Sequence, residues 1–419
     1  MNMKKFIFLS IVAITAVSCS SNDPIMEYNE SEGNAIQFES YAQTLTRAEN
    51  STNNAVWVFF NHHNNFQIWG YKNTAANNKP VFEGDYVTVT EESTPGTYKY
   101  TNSTVRFWDK AATKYEFYAA APYAENMWTF TPPTTTDQSD GTLATTSTLT
   151  GTNLQISSPS KDLKNSFKSA AGDVDKMIAS PCPWTQIGST VNLHFNHILS
   201  KMNISIRKAE SLKEWKVTLK SFNVYNMKGT GSFNEAKATA TTSGSIVRWN
   251  NDESTPSGSV TYTSIANWEI ANGVGVENNS DYKYIIESLV IPQNINWEAL
   301  ATDGKARTTP SVINAASTSS APYFVIEYTL QHDENNDNDF DDEDDFEEDY
   351  KAYYNLAAAF GMDGTTDKTI IPFNEGWQNT LNITIQPDEI NFDADVYQWA
   401  EYFPKTDNND VDGHEVDVK

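Results

Sequence analysis

The sequence predicts an all-β protein of two tandem β-sandwich domains, and three observations carry that prediction. Thr, Ser, Asn, Tyr and Phe are abundant, whereas helix-favouring runs of Leu, Ala, Lys and Glu are sparse; β-branched and aromatic side chains pack well on a pleated sheet. Short apolar stretches with in–out alternation recur at sandwich spacing, separated by turn residues. Their density is similar in both halves, and neither heptads nor a short tandem repeat is visible. A chain of 419 residues is long enough for two full hydrophobic cores. Asp plus Glu number 55 against 29 Lys plus Arg, a net charge of −26. Such an acidic surface argues against nucleic acid and against anionic membrane surfaces as partners.

The first element is an export signal. Lys4 and Lys5 precede an apolar run, Phe6–Val17, that is too short to span a bilayer and suits the h-region of a signal peptide. Ala16-Val17-Ser18-Cys19 resembles the lipobox of bacterial lipoprotein precursors, with Ala16 where Leu is usual. That resemblance implies cleavage after residue 18, a mature chain starting at Cys19, and acyl chains on Cys19 that anchor it in outer-membrane lipid. Residues 19–33 are polar and acidic (Asp23, Glu27, Glu30, Glu32) and read as a tether. They are either a plain solvated linker or similar to the surface-export signals of some gut bacterial lipoproteins.

Residues 34–46 then read as one strand, with Ile36 and Phe38 alternating with Gln37 and Glu39. Ala55–Phe60 and Phe66–Tyr71 follow, joined by a turn rich in Asn and containing His62-His63, which is expected to be solvated. Further strands are expected at Tyr86–Thr90, Tyr98–Tyr100, Val105–Trp108, Tyr115–Ala120, Val191–Phe195 and Met202–Arg207. The last reads as half-buried and antiparallel, with Met202, Ile204 and Ile206 inward. Residues 131–153 are almost all Thr, Ser, Pro, Gly and Asp and are expected to form a long exposed loop. In the second half Trp215/Val217/Leu219, Phe324/Ile326/Tyr328/Leu330 and Leu381/Ile383/Ile385 alternate, and Tyr284–Ile291 reads as a central strand ended by Pro292. The expected division is 1–18 signal, 19–33 tether, 34–47 N-terminal strand, 48–190 and 191–402 sandwiches, and a 403–419 acidic tail.

Several segments together resemble the fimbrillin family. Trp108-Asp109-Lys110 followed by Tyr115–Tyr123 is similar to the family's Trp, then Tyr-x-Phe-x-Ala-Tyr-x-Pro pattern. Phe195–Lys201 is similar to its Phe-x-His-x-Leu-Ser-Lys segment. Leu289–Gln293, Gly376-Trp377 with Leu381–Ile385, Ile390–Phe392 and Val396–Trp399 match later elements, with Leu381 where an aromatic residue is common. The resemblance implies two transthyretin-like β-sandwiches in a type V pilus subunit exported as a lipoprotein. It further implies that an Arg-specific protease removes the first strand, here 34–47, by cutting between Arg47 and Ala48. The groove so opened would accept a strand from another pilus subunit. A strand that leaves a sandwich exposes unpaired backbone groups and an apolar cleft, and an added strand restores both. Head-to-tail contacts of this kind do not close and so build filaments. Arg47 read without the resemblance is a solvated loop residue.

Little else suggests chemistry. No H-E-x-x-H, G-x-S-x-G or P-loop pattern appears, so the chain is not expected to be an enzyme. His194 and His197 lie three apart on an expected strand and point to opposite faces, so they cannot chelate one ion and each reads as a hydrogen-bonded structural histidine. Cys182, in Pro181-Cys182-Pro183, reads as a small buried apolar residue. The acidic loop 333–349 is the one candidate metal segment. Asp333, Asn335, Asp337, Asp339 and Asp341 have the oxygen-rich alternation that Ca²⁺ favours, but Asn338 stands where an EF-hand loop needs Gly and Asp344 where it needs Glu. It is read either as a solvated, self-repelling loop or as a weak Ca²⁺ site, with Phe340 and Phe346 suggesting that part of it docks. No other cofactor is expected.

The expected function is that of a non-enzymatic subunit of a cell-surface fimbria at the outer membrane, assembled by protease-triggered strand exchange and serving adhesion or biofilm formation. Its receptor would be a host or bacterial surface protein or glycan. The alternative is a monomeric surface glycan-binding lipoprotein of a polysaccharide-uptake system, since the 11 Trp and 20 Tyr supply flat rings that stack on sugars.

Overall fold

The computed structural model describes residues 34–42, 63–74, 77–94, 97–134, 140–148, 174–235, 239–240, 246–251, 259–263, 268–270, 283–297, 321–335, 340, 345–365, 370–386 and 390–398. These residues are nearly all strand, as the composition predicts. The first sheet has seven strands in the order β1 (Phe38–Ala42), β9 (Val191–His197), β8 (Met177–Trp184), β5 (Lys114–Ala121), β2 (Asn65–Thr74), β3 (Asn77–Glu91) and β4 (Tyr98–Asn102). A second sheet runs β15 (Trp249–Asn251), β12 (Thr230–Asn234), β7 (Thr142–Thr148), β6 (Trp128–Thr131). A third runs β18 (Lys283–Val290), β10 (Ser200–Lys208), β23 (Trp377–Ile385), β24 (Ile390–Gln398). The fourth runs β16 (Ser259–Thr263), β11 (Trp215–Lys228), β20 (Tyr323–His332), β21 (Phe346–Asn355), with β17 (Trp268–Glu269) also on β11. Two ribbons, β13 (Thr239–Ala240) with β14 (Ile246–Val247) and β19 (Gln293–Asn296) with β22 (Ile370–Phe373), complete the strands. Besides a 3-10 turn at Glu210–Leu212, one turn of α-helix, α1 (Leu356–Ala359), starts at Asn355, whose side-chain oxygen accepts from the Ala358 amide at 3.0 Å.

Alternation of side chains sorts these sheets around three cores. One face of the first sheet buries Phe38, Phe66, Phe82, Phe117, Trp184 and Phe195. Its other face, through Trp69, Tyr118 and Ile178, packs on Leu143, Phe233 and Trp249 of the second sheet. The third and fourth sheets enclose the last core, where Ile204, Leu381 and Ile383 join Phe222, Phe324 and Ile326. The aromatic residues thus serve mainly as packing. Cys182 is fully buried in the first core, as expected of a small apolar residue. Pro181 beside it is tolerated because it falls where the β5–β8 register shifts between Phe117 and Ala119 and ladder bonds are interrupted.

Three expectations are corrected. Thr142–Thr148 is not exposed loop but strand β7, with Leu143 and Thr145 buried; Thr favours a pleated surface once partners are present, and β7 lies between β6, just upstream, and β12, far downstream in the sequence. β10 is not half-buried: it pairs antiparallel with β18 and parallel with β23, and Asn203 and Ser205 on its polar face are as buried as Ile204. β18 is an edge strand rather than a central one; it reads as a continuous apolar run because Ile285 and Val290 face the last core while Leu289 faces the second.

Candidate functional site

The segment 34–42 is joined to the protein by main-chain bonds on one flank at a time. Asn34 to Ile36 run antiparallel to the segment 106–108: the Ile36 amide donates to the Arg106 carbonyl at 2.8 Å and the Trp108 amide donates to the Asn34 carbonyl at 3.1 Å. From Phe38 to Ala42 the chain becomes β1, the edge strand of the first sheet, parallel to β9 in the register Phe38↔Val191 to Ala42↔Phe195. The alternation read from the sequence holds, with Ile36 and Phe38 buried and Gln37 exposed between them.

Phe38 is the main anchor. Its ring lies 5.4 Å from Phe82 and 5.4 Å from Phe117, and 6.4 Å from Phe66, all edge-on. That arrangement places the positive edge of one ring against the negative face of the next. Gly70 permits it: a Cβ there would stand 2.9 Å from the Phe117 ring and 3.0 Å from the Phe82 ring. Burying Ile36 and Phe38 contributes about 1.5–3 kcal/mol each.

On its far flank β1 meets side chains from β4, the opposite edge of the same sheet. Tyr100 Oη accepts from the Ser40 amide at 3.1 Å and lies 3.1 Å from Ser40 Oγ. Asn102 Nδ2 donates to the Ile36 carbonyl at 2.8 Å. The sheet therefore curls until its two edges are linked through the Tyr100 and Asn102 side chains. Burial raises the Tyr100 phenol above its ordinary pKa, and its bonds to Ser40 partly offset this, so the hydroxyl stays neutral and available as donor or acceptor. Among the described residues no second strand has a main-chain hold on β1, so within them the segment leaves by opening only the ladder with β9 and the short stretch at 106–108.

A second cluster lies where the first sheet ends. His197 Nδ1 is 2.8 Å from Asp175 Oδ2, and both are buried, in keeping with a hydrogen-bonded structural histidine. His63, expected in a solvated turn, is also buried, because it sits at the start of β2 close to Asp175, Lys176 and His197. Burial depresses its pKa to about 4, partly countered by the Asp175 charge. Beyond this point Trp249 Nε1 donates to the Ile198 carbonyl at 2.7 Å. Arg248 grips Glu375 through Nε at 2.9 Å and Nη2 at 2.6 Å. Glu375 precedes Gly376, whose φ of +65° a side chain would strain, and whose amide donates to Leu199 at 2.8 Å. These contacts tie the second sheet to both neighbours.

Cys19, Arg47 and Ala48 lie outside the described residues, as does residue 43 onward of the expected N-terminal strand. Of the expected Ca²⁺ ligands, Asp333 and Asn335 follow the end of β20, while Asp337, Asp339 and Asp341 lie outside the described residues. Among the described residues no three His, Cys, Asp or Glu side chains are grouped to hold a metal ion. The acidic loop docks near its middle and at the start of β21: Gln331 Nε2 donates to the Phe340 carbonyl at 3.2 Å, Lys216 Nζ lies 5.5 Å from the Phe340 ring, and Phe346 packs edge-on against Trp215. Tyr100, Asn102 and Gly70 escaped sequence reasoning. Their only local signal was alternation in the hairpin β3–β4 and a lone Gly inside a strand, a sign of close approach.

A fimbrillin-like family model matches residues 46–399. The chain is similar to a solved fimbrial protein from Bacteroides vulgatus, at 14% identity over 87% of this chain and 99% of that one, with a TM-score of 0.49. It is also similar to the tip fimbrial protein Mfa3 from Porphyromonas gingivalis with a C-terminal truncation, at 10% identity over 80% and 94% of the two chains, with a TM-score of 0.33. No curated protein matches it. Because the family model spans most of the sequence, the chain belongs to the fimbrillin-like family.

Proposed function

We propose that this chain is a structural subunit of a surface fimbria in which the segment 34–47 is a placeholder strand. An Arg-specific protease cuts between Arg47 and Ala48, the placeholder leaves, and a strand from a neighbouring subunit takes its position beside β9. The observation that carries this reading is the edge position of β1, with two buried apolar anchors, Ile36 and Phe38, and one main-chain flank. Those features suit a strand that is replaced rather than permanently woven in. The chain's role is mechanical rather than catalytic, with acylated Cys19 holding it to the outer membrane until assembly, and adhesion or biofilm formation as its use.

The test is limited Arg-specific proteolysis of the soluble chain from residue 20 onward, followed by N-terminal sequencing and unheated electrophoresis. A new N-terminus at Ala48 and a ladder of detergent-resistant multimers are expected. Arg106, Arg207 and Arg248 are each held by hydrogen bonds to Val81, Thr384 and Glu375, and are expected to resist. A resistant Arg47, in a protein that binds a polysaccharide and stays monomeric, would replace this reading with the glycan-binding one.

A further inference from the structure

We propose that the outward stripe formed by Tyr86, Val105 and Phe107 is the surface on which a second copy of this chain seats when its strand enters the groove. The inference rests on the strand-exchange reading and extends it from the groove to the body of the subunit.

Large apolar side chains are seldom exposed among the described residues, and three of the five that are lie here: Val105 at 57%, Phe107 at 58% and Tyr86 at 41%. They are contiguous. The Ser103 amide donates to the Tyr86 carbonyl at 2.8 Å and the Tyr86 amide donates to Ser103 Oγ at 3.0 Å, which sets Tyr86 beside Ser103. Val105 and Phe107 follow at steps of two along an extended segment, the spacing of one face. The Tyr123 ring stacks on Tyr86 at 4.9 Å and lengthens the stripe.

The stripe is continuous with the groove. Phe107 stands opposite Ala35, and the Arg106 carbonyl and Trp108 amide are the groups that bond Ile36 and Asn34. Departure of the segment 34–42 frees those two groups, so the stretch that carries Val105 and Phe107 becomes a wall of the groove's mouth. A strand donated by a second copy enters past it and brings that copy's surface alongside. Charge is compatible with the same occupant. Arg106 and Asp85 alternate away from the face that carries Val105, Phe107 and Tyr86, so the stripe itself is uncharged, whereas the chain as a whole carries −26. An uncharged, apolar face is where two strongly acidic copies approach with least repulsion. Val105 is aliphatic and not planar, which suits protein contact better than sugar stacking.

The experiment uses the full soluble chain carrying Val105→Ser with Phe107→Ser, and a second variant, Tyr86→Ser. All three positions are exposed, so melting temperatures should match wild type. Each protein is cut with the Arg-specific protease and followed for multimers by unheated electrophoresis. A fluorescent peptide copying Asn34–Arg47 reports the emptied groove. Peptide binding is expected to stay within about twofold of wild type while multimer yield falls about tenfold or more in the double variant. Equal multimer yield overturns the proposal and leaves strand exchange standing. Peptide binding that falls in step with multimers also overturns it, because the stripe then acts as part of the groove rather than as a separate seat. A wild-type chain that is cut and never multimerises removes the strand-exchange reading, and this proposal with it. Retention of the uncut chain on immobilised mannan, lost in the double variant, assigns the stripe to sugar and overturns it as well.

Discussion

Truncating Phe38 to Ala should loosen the N-terminal strand without unfolding the protein. The wild-type ring is buried and meets Phe66, Phe82 and Phe117 edge-on at 5.4–6.4 Å. Losing a buried Phe costs about 3–5 kcal/mol when the surroundings do not collapse. Here the strand sits at a sheet edge, so the cavity opens to water once the strand lifts, and the lower end, about 3 kcal/mol, applies to strand release. At 1.4 kcal/mol per factor of ten, release becomes roughly a hundredfold more favourable. Hydrogen exchange of the amides from Ile36 to Ala42 should accelerate by about that factor, while amides of β11 and β20, in a separate core, keep their protection. Gln37→Ala, at an exposed position of the same strand, should change protection by less than about 0.5 kcal/mol. Unchanged exchange in Phe38→Ala would refute the claim that this ring anchors the strand. Equal acceleration in β11 and β20 would refute the claim that the strand leaves as a local unit.

Gly70→Ala should destabilise the first core by about 1–3 kcal/mol in urea, because the Phe117 and Phe82 rings must move from the floor beneath Phe38; it should also weaken rebinding of a 34–47 peptide. Arg248→Met should cost about 2–3 kcal/mol, below the full value for a buried pair because Arg248 is one-quarter exposed, and Glu375→Gln in the same chain should restore part of it; a urea double-mutant cycle reads the coupling. His63 makes the protein acid-sensitive. Its folded pKa of about 4 lies below its ordinary 6.5, so its contribution is whole above pH 6.5 and is lost as pH falls towards 4. The loss approaches about 3 kcal/mol. Urea midpoints at pH 7.5, 5.5 and 4 should show this slope, and His63→Gln should flatten it; an unchanged slope would refute the assignment of the acid sensitivity to His63.

Much of the strand pattern was legible in the residues because burial on one face leaves a period of two. Ile36/Phe38 and Val191–Phe195 are such cases, and each is a strand or a strand-like stretch in the structure. The pattern fails where both faces are covered or where the partner is remote. Asn203 and Ser205 look like an outer face, yet they are buried, because burial of a polar face leaves no apolar signal. Thr142–Thr148 looks like loop because Thr is equally at home in an exposed turn and in a strand held between two partners, β6 and β12. His63 looks like a turn residue because nothing near it in sequence announces Asp175 or His197.

The sequence by itself determined the all-β class, the family and the identity of the two anchors on the N-terminal strand. Composition, alternation and ordered motifs are local properties that survive without a partner. Only the tertiary structure decided that β1 is an edge strand parallel to β9, that Tyr100 and Asn102 close over it from the sheet's opposite edge, and that the second sheet takes β6 and β7 from before residue 190 and β12 and β15 from after it. Pairing between strands distant in sequence is selected by the burial of whole faces and the satisfaction of backbone groups, energies that exist only once the faces have met.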